Sequence, residues 1–179
     1  MAKQQGLREL LIDELRDIYD AEKQLTKALP KMAKGATSDE LRELIETHLQ
    51  ETEGHVERLE RVFEAMGETA RAKHCDGIAG IINEGATLLK GEFDGAVLDA
   101  GIIAGAQRAE HYEMAAYGSI MAWAETLGLG DVVDILEQTL EEEKGADEKL
   151  TALAEGNVND DAAALTSAGS PAKAAKEEE

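Results

Sequence analysis

Four long segments of the chain carry apolar residues at steps of three and four positions, and this spacing constrains the fold more than any other feature. Such steps place apolar side chains on one buried face of a helix. We therefore predict four amphipathic helices, A to D, with approximate bounds 7–34, 37–67, 95–127 and 131–156. The composition agrees, because aromatic residues make up only 3% while the strong helix formers Ala, Leu, Glu and Lys abound.

The connections between these segments predict the topology. The A–B and C–D connections are short turns, at 35–38 and around Gly128, whereas 68–94 form a long crossover with one short apolar stretch. We expect a short helix in that crossover. Two helical hairpins joined by a long crossover are typical of the ferritin-like four-helix bundle. The predicted fold is therefore all-α and of this kind.

The ends of the helices are predicted from their capping residues. Thr37 is followed three positions later by Glu40, which has the form of a capping box at the start of helix B. Asp131 is expected to cap helix D. Pro30 lies late in helix A, where it removes one backbone hydrogen bond and should bend the helix.

The hydrophobic fraction of 43% is enough for one core, so we predict a single bundle domain over 1–156. Residues 157–179 are mostly Ala, Ser, Asp, Glu and Lys. Such a segment buries too little apolar surface to offset the entropy of ordering. We expect it to be a disordered, acidic and Ala-rich tail.

Charge and cysteine content exclude several classes of function. The formal net charge of −20 argues against nucleic acid as a partner, because phosphate binding requires Lys and Arg. Cys75 is the only cysteine, so one chain holds no disulfide framework and no Cys-based zinc or iron–sulfur site. No apolar run approaches membrane-spanning length, and no signal-like apolar region follows Met1. We expect a cytoplasmic protein without a membrane partner.

Ionisable residues interrupt the apolar face of every predicted helix, where a buried, unpaired charge would be costly. The candidates for a metal site are Glu22 in helix A, Glu51 and His55 in helix B, Glu110 and Glu113 in helix C, and Glu143 and Asp147 in helix D. Any one of these glutamates alone is more often a flank residue that reaches water. The prediction of a site depends on the whole set.

The positions of these residues along the hairpins bring them to one height. The midpoint of 22 and 51 falls in the A–B turn, and the midpoint of 113 and 143 falls at Gly128, so each antiparallel hairpin pairs its own acids. If the crossover traverses the bundle, all four helices present acids at mid-height. Several carboxylates share an interior only when cations or protons neutralise them. Oxygen donors with one or two imidazoles suit iron or manganese.

The remaining histidines and tyrosines leave alternatives open. His55 is either a ligand or a polar residue at the bundle flank, and His48 is more readily structural. His111 is rotated about 100° from Glu110 on the helix, so it orients a ligand or bonds a neighbouring helix. We expect His74 at the surface. Core packing with a bonded hydroxyl is the simpler role for the two tyrosines near the acids, Tyr19 and Tyr112.

The chain resembles the YciF-like stress-response proteins of the ferritin-like superfamily. The matching motifs, in chain order, are Asp-Ile-Tyr-Asp-Ala-Glu-Lys-Gln-Leu at 17–25, His-Leu-Gln-Glu-Thr at 48–52, Ala-Glu-His-Tyr-Glu through Tyr-Gly at 109–118, and Thr-Leu-Glu-Glu-Glu-Lys at 139–144. The resemblance implies a ferritin-like di-iron fold, often dimeric and linked to stress response, without a settled biochemical activity.

The chain is more distantly similar to rubrerythrin, in which Glu-x-x-Glu and Glu-x-x-x-His surround two irons. Glu110 and Glu113 match the first motif, whereas the second reads Glu143-x-x-x-Asp147, with Asp in place of His. Helix B also departs, because Gly54 stands where a Glu-x-x-His motif would place the histidine and His55 comes one step later. These departures weaken the case for rubrerythrin-like peroxidase chemistry.

Two functions follow as hypotheses. The first is a redox metalloprotein, with two iron or manganese ions bridged by Glu51 or Glu143, that reacts with peroxide or oxygen as a peroxidase- or ferroxidase-like oxidoreductase. The second is a non-enzymatic helical bundle, a stress or scaffold protein whose acids are protonated, paired or exposed. A homodimer is expected in both cases from the resemblance.

Overall fold

The computed structural model describes residues 6–168, which form six α-helices and no strand. The helices are α1 Leu7–Gly35, α2 Asp39–Ala65, α3 Asp76–Leu88, α4 Gly95–Thr126, α5 Gly130–Leu153 and α6 Asn159–Ala168, with a π-helical turn Ala154–Val158 between α5 and α6. The four predicted long helices correspond to α1, α2, α4 and α5. The all-α, ferritin-like four-helix bundle is confirmed.

The long helices pack as two hairpins. Helices α1 and α2 contact each other along their length, as do α4 and α5, and the hairpins meet through α2 on α5 and α1 on α4. The crossover contains the predicted short helix α3, which lies against α1 and α4. In the part of the chain that the structure describes, no helix combines the length and apolar character needed to cross a bilayer.

The buried face of each long helix follows the three- and four-residue steps without a break. In α2 the apolar members are Leu41, Ile45, Leu59 and Val62, and the same steps place polar residues at 48, 52 and 55 between them. In α5 the steps run through 132, 136, 139, 143, 146, 150 and 153. The residues at these mid-helix positions are therefore held inside the bundle by the apolar residues on either side.

Two of the predicted caps are wrong, and two predicted turns are confirmed. Ser38 caps α2 by accepting a hydrogen bond from the backbone N–H of Leu41, so the cap lies one residue after Thr37. Asp131 lies inside the first turn of α5, which has no side-chain cap. Gly67 and Gly128 adopt φ of 69° and 71°, a left-handed conformation that ends α2 and α4 as predicted.

Asp99 of α4 ties down the α1–α2 turn, a role the sequence did not reveal. Its carboxylate accepts hydrogen bonds from the backbone N–H groups of Thr37 at 2.8 Å and Ser38 at 2.9 Å, and from the Thr37 hydroxyl at 2.5 Å. Asp99 is 2% exposed. The hydroxyl that was expected to cap α2 therefore serves this contact between hairpins instead.

Replacing Asp99 by alanine should destabilise the protein by about 2–4 kcal/mol, because two backbone N–H groups and the Thr37 hydroxyl lose a charged acceptor in a partly buried contact. Urea unfolding followed by circular dichroism measures this change. Asp94, whose exposed carboxylate accepts a hydrogen bond from the backbone N–H of Gly95 at the helix start, provides the matched variant Asp94→Ala with a cost of about 1 kcal/mol or less. Equal costs for the two variants would contradict this role.

Order extends past the predicted end of the bundle at 156. Val158 is 4% exposed, and α6 packs on α4 together with the π-helical turn. The helical stretch to Ala168 differs from the disorder predicted for 157–168; Val158 anchors it, whereas the described side chains of α6 are largely exposed. Residues 169–179 of the predicted tail lie outside the described residues.

Candidate metal centre

Six ionisable side chains from all four long helices meet at mid-height in the bundle, and each is at most 4% exposed. They form two groups in which one possible ligand atom per residue lies within 4.8 Å of the others. The first group is His48, Glu110, Glu113 and Glu143, and the second is Glu22, His55 and Glu143. This arrangement could hold two metal ions.

Glu143 belongs to both groups and turns one oxygen toward each. Its Oε1 lies 2.9 Å from Nδ1 of His55, which in turn is 3.4 Å from Oε1 of Glu22. Its Oε2 lies 3.8 Å from Nε2 of His48, which is 3.4 Å from Oε1 of Glu110. A carboxylate with one oxygen in each group has the arrangement of a bridging ligand.

Each histidine is oriented by a second carboxylate on its outer side. Nδ1 of His48 lies 3.3 Å from Oε2 of Glu51, and Nε2 of His55 lies 3.0 Å from Oε2 of Glu142. An ionised carboxylate only accepts hydrogen bonds, so the outer ring nitrogen carries the proton. When the ring is neutral, its inner nitrogen directs a lone pair toward the cluster, as in carboxylate–histidine–metal arrangements. Arg58 holds Glu142 in place through an ion pair.

Burial and the charges of neighbouring groups shift the pKa values of the cluster residues. Burial, followed by the negative charge of Glu143 and Glu22, raises the pKa of both Glu110 and Glu113 well above the usual 4.5. Burial alone would lower the pKa of His55, but the negative charge of Glu22 and the close approach of the Glu143 and Glu22 carboxylates raise it to about 10. Burial alone would raise the pKa of Glu143, yet the contacts to His55 and Glu110 lower it. Without cations, protons must balance the cluster.

Several buried oxygen and nitrogen atoms of the cluster have no hydrogen-bond partner in the described part of the chain and are suited to bind cations. Both carboxylate oxygens of Glu113 and of Glu143, one oxygen each of Glu22 and Glu110, and Nδ1 of His55 are buried without a hydrogen-bond partner among the described residues. The 2.9 Å approach of His55 to Glu143 is close in distance but poorly aligned for a hydrogen bond. Buried, unpaired carboxylates are costly, and hard metal ions are the partners they suit.

The structure does not bring two of the predicted ligands into either group. Glu51 lies outside His48, with its side chain 24% exposed, and also approaches Lys149 at 3.9 Å. The hydrogen bond from His48 lowers its pKa. Asp147 accepts a hydrogen bond from Gln107 at 3.0 Å and pairs with His111 at 3.3 Å. Both positions fall off the buried three- and four-residue steps, so both side chains point toward the bundle flank.

The other predictions for polar residues fare as follows. His55 is in the cluster, and His48, expected to be structural, joins it as well. His111 bonds the neighbouring helix, as one of its two alternatives stated. His74 is 66% exposed, in agreement with the prediction. Tyr19 is buried and donates to Glu60 at 2.7 Å, which is the predicted core role with a bonded hydroxyl.

Sequence reasoning missed Tyr117 and Glu142. Tyr117 is fully buried, donates a short hydrogen bond to Glu22, and has its ring centroid 6.5 Å from that of His55. It lies four residues after Glu113 and thus on the same face of α4, a spacing that could have revealed it. The position of Glu142 in the sequence does not reveal its role, because that role depends on its contact with His55 of α2.

Replacing Glu51 or Glu142 by glutamine should weaken metal affinity about 10–100-fold, because each histidine loses the acceptor that fixes its proton and ring orientation. Competition with a metal-binding dye measures the affinity. Glu148→Gln, an exposed acid on α5 outside the cluster, should leave it unchanged. Complete loss of metal in Glu51→Gln would show instead that Glu51 is itself a ligand.

Fold and cluster together define a ferritin-like helical-bundle protein whose buried His/Glu groups could hold metal. Residues 6–163 match the family described as "Domain of unknown function (DUF892)", and the chain belongs to this family. The protein YciF of Escherichia coli strain K12 is 40% identical over 154 residues, which cover 86% of this chain and 93% of YciF.

Solved structures show the same architecture. The structure described as the E. coli stress protein YciF matches with a TM-score of 0.84 and 39% identity, covering 87% of this chain and 99% of that one. YcfI from Rhodopseudomonas palustris, described as a putative structural protein, matches with a TM-score of 0.80 and 45% identity, covering 84% and 97%. A Xanthomonas campestris protein at 22% identity shares the fold, with a TM-score of 0.70. The chain is thus a YciF-like stress-protein relative.

Proposed function

We propose that the protein binds two iron or manganese ions in the cluster and has a redox role in stress, in which peroxide or oxygen is consumed. The observation that carries this proposal is Glu143, which offers one oxygen to each of two buried donor groups. Bound iron or manganese would supply the electrons for reduction of peroxide or oxygen.

The residues around the cluster support such chemistry by holding its parts in place. Glu22, Glu113 and Glu143 provide carboxylate oxygens, and the two histidines are preset by Glu51 and Glu142. Each of the six side chains is at most 4% exposed, so little of the cluster's surface contacts bulk water. The Tyr117 hydroxyl donates its proton in a hydrogen bond to Glu22, a member of the second donor group.

Metal content of the native protein tests this proposal. Protein purified from cells grown with added iron or manganese should contain about two ions per chain, one for each donor group. After anaerobic reduction, the iron form should consume hydrogen peroxide with an absorbance change that the metal-free form lacks. Native protein without bound iron or manganese would overturn the proposal.

The homodimer and the cytoplasmic location expected from the sequence remain parts of this proposal. The support is the likeness to a stress protein over most of both chains. Sedimentation equilibrium of the full chain should give twice the 19.2 kDa of one chain. A monomer at micromolar concentration would remove the dimer from the proposal and leave the metal centre intact.

A structural role without metal is the second candidate, since one relative is described as a putative structural protein. It predicts that neutral substitutions in the cluster raise the melting temperature whether or not metal is present, because they remove buried charge. The metal proposal predicts that the same substitutions raise the melting temperature of the metal-free protein and lower that of the metal-loaded protein. The same variant proteins therefore distinguish the two functions.

A further inference from the structure

An apolar cavity of about 400 Å³ lies between α1, α3 and α4. Leu25, Leu89 and Ile102 contribute to its walls, and His48 and Glu110 line it as well. Those two residues are 4% and 3% exposed, so the cavity extends from the surface to the wall of the metal cluster. Its volume lies in the range of about 300–1,000 Å³ that small-molecule sites occupy.

Glycines keep this space open. A Cβ atom built on Gly105 of α4 or on Gly85 of α3 would meet no atom within 4 Å. Both glycines line the cavity, Gly105 from α4 and Gly85 from α3. A helix normally gains stability from alanine over glycine at such positions. Both α3 and α4 therefore contribute to the open space, because each has a glycine where a larger side chain would enter the cavity.

Three cations stand at the exposed rim of the cavity. They are Lys27 and Lys31 of α1, four residues apart on one helix face, and Arg108 of α4. None of the three makes an ion pair with any residue that the structure describes, whereas cations such as Lys73 pair with a neighbouring acid. Glu84 is the exposed acid among the lining residues, so the rim is net positive on a chain of charge −20.

We propose that this cavity binds an aliphatic carboxylate. The carboxylate group pairs with Lys27, Lys31 and Arg108, for which the planar guanidinium and the two ammonium groups are suited. The hydrocarbon chain lies along the apolar walls, with its far end toward His48 and Glu110. Burial of the chain provides most of the binding energy, and the rim provides the selectivity for an anion. Binding requires no metal, so this inference goes beyond the proposed redox function.

Calorimetric titration with decanoate, below its micelle concentration, tests the proposal on the full chain. We expect one decanoate per chain, in metal-free and in metal-loaded protein alike. Decanol has the same hydrocarbon without the charge and should bind at least about tenfold more weakly. Decanoate that does not bind, or that binds no better than decanol, would overturn the proposal.

Filling the cavity provides a matched pair of variants. Gly105→Leu should reduce decanoate binding by about tenfold or more, because the new side chain occupies the space of the hydrocarbon. Gly118→Leu lies on the same helix, outside the cavity, and its Cβ also meets no atom within 4 Å, so it should bind decanoate as the wild type does. Both changes favour the helix, so folding is retained. Unchanged binding in Gly105→Leu would contradict the assignment.

Neutralising the rim tests the charge. The triple variant Lys27→Gln/Lys31→Gln/Arg108→Gln should weaken decanoate about tenfold and leave decanol unchanged. The matched control replaces three exposed cations outside the cavity, Lys34, Arg61 and Lys90, by glutamine. Equal losses in the two triple variants would overturn the role of the rim.

A second copy of the chain as the occupant would give a different outcome. The wild type would then associate in a concentration-dependent manner, Gly105→Leu would abolish this association, and decanoate would not bind; that result would overturn the proposal. Metal content measured on the same samples separates the two proposals. Two ions per chain without decanoate binding would overturn the cavity assignment alone.

Discussion

Glu143→Gln should abolish binding of both metal ions, whereas Glu22→Gln should remove only one. Glu143 turns one oxygen to each donor group, while Glu22 belongs to the second group alone. An amide is a poor ligand for a hard cation, so each affected site should lose more than about 100-fold in affinity. Metal analysis after gel filtration should therefore give about two ions for the wild type, one for Glu22→Gln and none for Glu143→Gln.

Glu137→Gln is the matched control for this experiment. Glu137 lies on the same helix as Glu143 but is exposed, so its variant should retain the metal content of the wild type. Circular dichroism establishes that each variant is folded. If Glu143→Gln kept one ion, the bridging role of this residue would be wrong, and equal losses in all variants would point to a non-specific effect of charge.

Metal-free protein should become less stable as the pH rises from about 5 to 9, and Glu113→Gln should remove much of this dependence. The pKa of Glu113 is raised above 4.5 by burial first and then by neighbouring acids, and that of Glu110 likewise. The folded state therefore keeps protons that the unfolded chain releases above pH 4.5. Stability from such a group is complete below the unfolded pKa and is lost as the pH rises toward the folded pKa.

His55 acts in the same direction. Its folded pKa of about 10 lies above the usual 6.5, so its contribution is complete below pH 6.5 and is lost as the pH rises through 10. Glu143 has a lowered pKa, and its contribution is lost only in acid, below this range. Each proton retained by the folded state corresponds to about 1.4 kcal/mol per pH unit.

Thermal unfolding of Glu113→Gln measures the size of the effect. At pH 8 the metal-free variant should melt about 5–10 °C above the metal-free wild type, and near pH 4.5 the two should coincide. With metal added the sign should reverse, since the variant has lost a ligand. A higher melting temperature with and without metal would instead support the structural role.

The fold could be predicted almost completely from the sequence, because the apolar steps and the two turns specify both hairpins. The height of the cluster could be predicted for the same reason. The ligands on α2 could not be selected by height alone, since Glu51 and His55 are both near mid-helix. The steps through Leu41 and Ile45, continued to 48, 52 and 55, would have chosen both histidines and excluded Glu51.

Contacts between side chains of different helices could not be predicted from the sequence. Asp99 holds the distant α1–α2 turn, and Glu142 reaches His55 across the α2–α5 interface. Asp99 lies on the buried face of α4, one step before Ile102, but that position does not identify the turn it contacts. The order of α6 was missed because composition describes an isolated segment, whereas Val158 is buried against the completed bundle. Such features follow from packing and not from local sequence.

The most direct test of the metal centre is an anomalous difference map from crystals of protein produced with added iron or manganese, recorded on both sides of the metal absorption edge. We predict two peaks per chain, one between His48, Glu110, Glu113 and Glu143 and one between Glu22, His55 and Glu143, with Glu143 contacting both. A map without peaks in this cluster, or with peaks only at surface carboxylates, would contradict the account.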